Sequence, residues 1–420
     1  MDNGRVDVPT VRWLASEEGR RVLAGLGEYR ESEAVTVATR LRAEGLDADR
    51  AAAVLTQQRL RGRAVEKFGG SAQEMLFTPH GLEQASRGEV AAGHAGRFAA
   101  AGIDTAHDIG CGIGSDALAM AGRGITVHAL DADPVTAAIA DANLQALPGT
   151  TAGSRAHQGL AEDFMPPHGP ERERTGVWLD PARRTPGRAD RQGRTRRVFR
   201  LEEISPSWDF VLSVAHEVPA TGAKLSPSLP EHALPAGTEA QWTSWQGTVL
   251  ECALWWGPLA QRPGRSARVL RKGRAPVEVD ETHCEADPAA ATDTGSIGRW
   301  LYEADRAVVR AGLIGTVTAA TAGLELEPGV GYVTSEERHE LGHARRLEVL
   351  EAMPYSVKTL RRWLRERGVT GLTVKKRGVR IDEDQLRRQL KIGRGAGDGA
   401  TATVVLTRVA GEQLVLVVGS

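Results

Sequence analysis

The 420-residue sequence sets 53 Lys and Arg against 54 Asp and Glu, a formal net charge of −1. That excludes a globally basic nucleic-acid binder, so any such contact must come from local patches. Three cysteines without paired spacing exclude a disulfide frame, and no apolar run is long enough to span a bilayer. A cytoplasmic protein of two or three domains, without signal peptide or membrane span, is expected.

Residues 1 to about 75 read as helices. Trp13, Leu14, Val22, Leu23 and Leu26 recur at helical spacing, as do Val35, Val37 and Leu41, and then Val54, Leu55 and Leu60. The stretch MLFTPHGLEQAS follows, where Thr78 before Pro79 predicts an N-cap with proline at the first helical position.

From Ala106 the chain reads AHDIGCGIGSDALAMA: a short strand, a glycine turn, a helix. Such a turn lets the backbone close on a nucleotide, because side chains would block the approach and the helix start offers free N–H groups. A dinucleotide fingerprint needs its third glycine at position 115, which is Ser115. Instead Asp108, Gly110, Gly112 and Gly114 form D-x-G-x-G-x-G. This form resembles motif I of the class I S-adenosylmethionine (SAM) methyltransferases. The resemblance implies SAM as cofactor, held at those four residues.

The βα rhythm continues with ITVHALDADP, a strand ending in Asp131 and a helix opened by Pro134. Asp133 directly precedes that proline and is placed to cap the helix. Asp131 stands at the strand end, about twenty residues beyond the first glycine, where a carboxylate can accept both ribose hydroxyls. A third strand near SRAHQGL leads into Glu162, Asp163 and Phe164, where Asp163 can accept an adenine amino group and Phe164 can pack on the ring.

A fourth strand, GVWLDPARRT, ends in Asp180 and Pro181, at the carboxyl edge where doubly wound sheets bind ligands. Asp-Pro there resembles motif IV, (D/N)PP(Y/F/W), of methyltransferases acting on exocyclic amines. The 70–260 region resembles the trimethylguanosine synthase-like RNA methyltransferases. In that group a segment similar to Phe77-Thr78-Pro79 precedes motif I and helps enclose the cofactor, which implies cofactor contacts for Phe77 and Thr78. Here Ala182 and Arg183 replace the second proline and the aromatic. Eight arginines then lie between Arg183 and Arg200 against one acid, Asp190. A loop of that composition at the catalytic edge suits phosphate contacts, through Arg183, Arg184 and Arg188.

Beyond it, a helix and a strand near Ala223–Leu225 are expected from DFVLSVAHEVPATGAKLSP. QGTVLECALWWG reads as a strand of a closing antiparallel hairpin with RSARVLRKG as its partner, and WLYEADRAVVRAGL reads as a helix. His283 and Cys284 lack a second pair, so no metal site is expected. In VKTLRRWLRERG, Val357, Leu360, Trp363 and Leu364 share one helical face and Lys358, Arg361, Arg362 and Arg365 the other. A strand with Lys375, Lys376 and Arg377, a helix capped at Asp382 and a terminal hairpin follow. Between Pro354 and Arg394 stand 13 Lys and Arg against four Asp and Glu, a concentrated basic patch. This tail is similar to the THUMP-like domain appended to a bacterial group of SAM-dependent methyltransferases, and THUMP domains proper bind tRNA and related structured RNAs.

The expected architecture is α/β. It has a helical region (1–75), a Rossmann-like class I methyltransferase sheet (76–329) and a small α/β THUMP-like domain (330–420). The expected activity is SAM-dependent methylation of an exocyclic amine in tRNA or rRNA, with Asp180 and Pro181 at the chemistry and no metal. Arg361, Arg362, Arg365, Lys375 and Lys376 are expected on RNA alongside the arginine loop. Two other readings stay open: a SAM-binding RNA-binding module without turnover, or a methyltransferase of small molecules or proteins.

Overall fold

The structure, a computed structural model, describes residues 6–183, 201–392 and 400–419. It divides into two compact units, Met1–Leu225 with Ala253–Gln261, and Ser226–Cys252 with Arg262–Ser420.

The first unit opens with α1 (Val8–Ala15), α2 (Glu17–Ala24), α3 (Ala34–Ala43) and α4 (Ala48–Phe68). Asp7, Ser16 and Asp47 cap α1, α2 and α4, each side chain accepting the N–H three residues on. These helices bury Val11, Leu14, Leu23, Val54 and Leu60 in one core, as the spacing predicts. Next come α5 (Pro79–Gln84), capped by Thr78, and α6 (Gly88–Ala100).

Strands and helices then alternate: β1 (Thr105–Ile109), α7 (Ser115–Ala121), β2 (Thr126–Asp131), α8 (Pro134–Ala146), β3 (Arg155–Gln158) and β4 (Thr175–Leu179). Asp133 caps α8, as expected. A short antiparallel pair, β5 (Ala182–Arg183) with β6 (Ile204–Ser205), precedes α9 (Trp208–Glu217) and β7 (Ala220–Leu225). The order β3-β2-β1-β4-β7 is parallel throughout. β4 is buried on both faces. Val177 and Leu179 pack with Ile109, Val211 and Val214; Trp178 packs with Phe98, Ala106, Ala117 and Trp255. The winding reverses between β1 and β4, which opens a crevice at the carboxyl ends of the strands.

The second unit holds β8 (Glu239–Trp245) and the first part of β9 (Thr248–Trp255), whose residues from Ala253 on belong to the first unit. β8 pairs in parallel with β10 (Gly264–Leu270), and β10 pairs antiparallel with β11 (Val277–Asp280). The expected hairpin between QGTVLECALWWG and RSARVLRKG is therefore corrected: β8 takes the place between them. Its sequence, EAQWTSW, hides a buried strand because Glu239 is held by hydrogen bonds from Ser266 Oγ (2.6 Å) and the Arg262 amide (2.9 Å) rather than by an apolar pattern.

A second correction falls on WLYEADRAVVRAGL. It forms a strand, β12 (Trp300–Ala304), and only then a helix, α10 (Arg306–Arg310), because the Asp305 side chain accepts the Ala307 N–H and starts the helix there. The unit continues with α11 (Gly315–Thr321), β13 (Leu324–Glu325), β14 (Tyr332–Ser335), β15 (Ala344–Pro354) and α12 (Val357–Glu366). It ends with β16 (Val369–Lys376), α13 (Glu383–Leu390), β17 (Ala400–Val409) and β18 (Glu412–Gly419). Seven strands form one sheet, β13-β14-β12-β15-β18-β17-β16. The terminal hairpin turns on Ala410 and Gly411, both at positive φ, the two-residue turn that matches strand twist.

Candidate active site

At the crevice, the glycine turn after β1 is folded back onto β2. The amides of Gly110 and Cys111 donate to Leu130 O at 2.8 and 3.0 Å. Gly110, Gly112 and Gly114 all take positive φ. A Cβ on Gly110 would lie 2.7 Å from Asp180 O, so this glycine is what lets the turn close against the end of β4. A Cβ on Gly112 would meet nothing within 4 Å and would project into open space.

Three acids surround the turn. Asp131 accepts the amides of Gly112 (3.0 Å) and Asp133 (2.9 Å), which fixes its carboxylate beside the loop. Burial raises its pKa despite those two bonds. Asp108 is 1% exposed, and the Ala117 backbone, one helical turn into α7, is the hydrogen-bonding group that favours its charge. Burial pushes its pKa well up, with Asp116 and Asp180 adding repulsion. Asp116, at the start of α7, is bound instead by His94 Nδ1 (2.7 Å) and Ser86 Oγ (2.8 Å). Burial opposes its charge, but His94, Lys224 and Ser86 together outweigh that and leave its pKa low.

Asp180 follows β4, and its Oδ2 accepts from Lys224 Nζ at 2.6 Å. Lys224 is a site residue that the sequence reading misses. Its one signal is a lone lysine inside β7, a strand whose other five residues are all buried. The pair couples the ends of two adjacent parallel strands at the crevice.

The other expected positions fall out as follows. Phe77 is buried in the helical core against Phe68, and its backbone N–H and C=O are both bonded to Gln57. Thr78 caps α5 through the Gly81 amide at 2.9 Å. Asp163 is exposed and accepts the Leu160 amide at 3.2 Å, while the Phe164 ring packs on His107 of β1 at 4.9 Å. Pro181 is half-buried at the crevice. Arg184 and Arg188 lie outside the described residues, as does the side chain of Arg183.

In the second unit, Arg362 and Arg365 are exposed on α12, and Arg361 donates to Gln389 O. Lys375 is drawn to Glu303 at 2.5 Å, with Arg377 on the same carboxylate at 3.4 Å. Lys376 donates to Ile381 O at 2.7 Å. His283 pairs with Asp280, and the described residues hold no cluster that could bind a metal. No described helix is long and apolar enough to cross a membrane.

Residues 344–420 match a family described as THUMP domain-like, and residues 7–64 match a domain of unknown function. Two relatives from two strains of Mycobacterium tuberculosis, each described as an uncharacterized S-adenosylmethionine-dependent methyltransferase, are 30% identical to the chain over 375 residues. The match covers 87% of this chain and 95% of each relative. A solved structure from Porphyromonas gingivalis, assigned as a methyltransferase, shares the fold with a TM-score of 0.70 at 18% identity, covering 93% of this chain and 99% of that one. With a glycine turn, a reversed parallel sheet and relatives aligned over most of its length, the chain belongs to the S-adenosylmethionine-dependent methyltransferases and carries a THUMP-like domain at its C-terminus.

Proposed function

We propose that the protein methylates an exocyclic amine of a base in structured RNA, a tRNA or rRNA, in the manner of the trimethylguanosine synthase-like enzymes. The observation that carries this reading is Asp180, fixed by Lys224 at the end of β4 and touching the glycine turn through its own backbone. The open space over Gly112, with the Asp131 carboxylate fixed beside it, fits a nucleoside such as SAM. When bound, SAM supplies a methyl carbon carried on a sulfonium. Asp131 would accept the ribose hydroxyls, with Asp163 and Phe164 at the adenine.

Methyl transfer is an in-line displacement, so the chain's task is alignment. Asp180 would accept an N–H of the target amine, point its lone pair inward and hold the proton that the amine loses as it is alkylated. Residues 76–329 would carry this chemistry, 1–75 would brace it, and 330–420 would grip RNA. The THUMP domain-like match and the exposed arginines of α12 support the RNA part. Incubation with methyl-labelled SAM and separated RNA, protein and metabolite fractions tests it. Label in RNA is expected. Label confined to protein or metabolites would overturn the RNA assignment, and SAM binding without label anywhere would favour a binding module.

A further inference from the structure

Between α4 and α5 the chain passes through Met75, Leu76, Phe77 and Thr78, which belong to no helix and no sheet. A buried backbone without sheet or helix partners must find its hydrogen bonds elsewhere. Here side chains from two helices supply them. Gln57 of α4 donates to Phe77 O (2.8 Å) and accepts the Phe77 amide (2.9 Å), as a neighbouring strand would. Arg61, one turn on, donates to Met75 O at 2.9 Å. From the other side, Asn143 of α8 accepts the Leu76 amide (2.7 Å) and donates to Leu76 O (3.0 Å). Gln57 and Asn143 are both fully buried.

Asn143 makes one more bond. Its Nδ2 also donates to Ile113 O at 2.9 Å, inside the glycine turn. The helix that follows the strap presses on the same residue: a Cβ on Gly81 would lie 2.3 Å from Ile113 Cγ2. Strap, glycine turn and α4 are therefore one hydrogen-bonded assembly, and a shift of α4 would reach the turn through two buried amides.

We infer that Gln57 and Asn143 are positioning residues for the cofactor, fixing the strap against the glycine turn, and that this is the contribution of the N-terminal helices to methyl transfer. Gln57 lies within the 7–64 segment, for which no function is known. The inference rests on the glycine turn being the cofactor cradle.

Calorimetry of SAM with Gln57→Leu, Asn143→Leu and Leu60→Ala tests it. Leu60 is equally buried on α4 and shares the core with the strap but makes no hydrogen bond to it, so its truncation reads the loss of packing without the loss of those bonds. Both strap variants leave buried donors and acceptors unpaired and should weaken SAM binding by about tenfold or more, while Leu60→Ala stays within about twofold of wild type. Strap variants that bind SAM like wild type would overturn the inference, as would an equal loss in Leu60→Ala. Hydrogen exchange on the unaltered protein gives a second readout should a variant not fold. The Leu76 and Phe77 amides should be further protected when SAM is added, and unchanged exchange contradicts the proposal. Gly112→Val separates this from the cradle reading. If it too binds SAM normally, the cradle assignment fails; if it alone loses SAM, only the role of the strap fails.

Discussion

The crevice of the first unit and the basic surface of the second both stand out by residue type, yet folding treats them differently. At the crevice, residues distant in sequence arrive together. Asp108, Asp131 and Asp180 end or follow adjacent parallel strands, and Lys224 joins them from β7. On the second unit, the charges are partly used inside the protein: Lys375 and Arg377 converge on Glu303, and Arg361 and Lys376 are bound to main-chain carbonyls. A motif tied to backbone geometry keeps its meaning through folding, because the strand end fixes where the side chain goes. A count of charges does not, because a carboxylate elsewhere in the chain can absorb them.

The largest effect should come from Asp180→Ala. Turnover is expected to fall by about 100-fold or more, the scale of losing a positioned proton acceptor, in a labelled-methyl assay with total RNA. Wild-type turnover would remove Asp180 from the chemistry. Next, Asp131→Ala should weaken SAM by roughly 1.5–3 kcal/mol in calorimetry, the value of a hydrogen bond to a charged group. An unchanged affinity would leave Asp131 as a mere brace for the Gly112 amide.

The basic surface gives the sharper contrast. Arg362→Ala with Arg365→Ala should flatten the log–log salt dependence of tRNA affinity by about 1.4–1.8 units, at roughly 0.7–0.9 for each phosphate no longer neutralised. Lys375→Ala should leave that slope alone and lower the melting temperature instead, since it leaves the half-buried Glu303 with one cation fewer. Filter binding across a salt series, beside thermal melts, decides between them. A slope change in Lys375→Ala would mean that charge counting was sufficient after all.

The smallest effect concerns pH. Burial, with His128 close by, lowers the His107 pKa to about 4. The unfolded imidazole titrates near 6.5, so between about 6.5 and 4 the unfolded chain binds the extra proton and stability falls as the pH falls. The loss is on the order of 2 kcal/mol, because the group is not fully enclosed. Melting at pH 7 and pH 5 should differ less in His107→Phe than in wild type. An equal difference would assign the acid sensitivity to other groups.

The sequence yielded those features that a short local pattern encodes. The glycine turn, the caps at Thr78, Asp133 and Asp382, and β4 ending ahead of Asp180 needed only neighbours along the chain. It concealed what depends on distant partners. β8 looked polar because its Glu239 is satisfied by Ser266 and Arg262. β12 ran into the apolar spacing of α10, and only the Asp305 cap separates the two. Lys224 carried a visible signal, a charge in a buried strand, but its partner lies 44 residues away. Gln57 and Asn143 carried none, since a buried amide in a helix reads like an exposed one until its acceptors are known.

A cofactor held at the glycine turn, with the chemistry set beside it, is tested most directly by SAM calorimetry on Gly112→Val and Asp180→Ala. Valine at Gly112 adds a side chain to the open space over the turn, at a φ of +56° that strains any residue but glycine. Alanine at 180 removes the group assigned to the amine, and with it the Lys224 ion pair, but leaves the backbone bonds of the glycine turn in place. Gly112→Val is expected to lose SAM binding while Asp180→Ala binds it with wild-type affinity. Equal affinities in the two variants would contradict that division between cofactor cradle and chemistry.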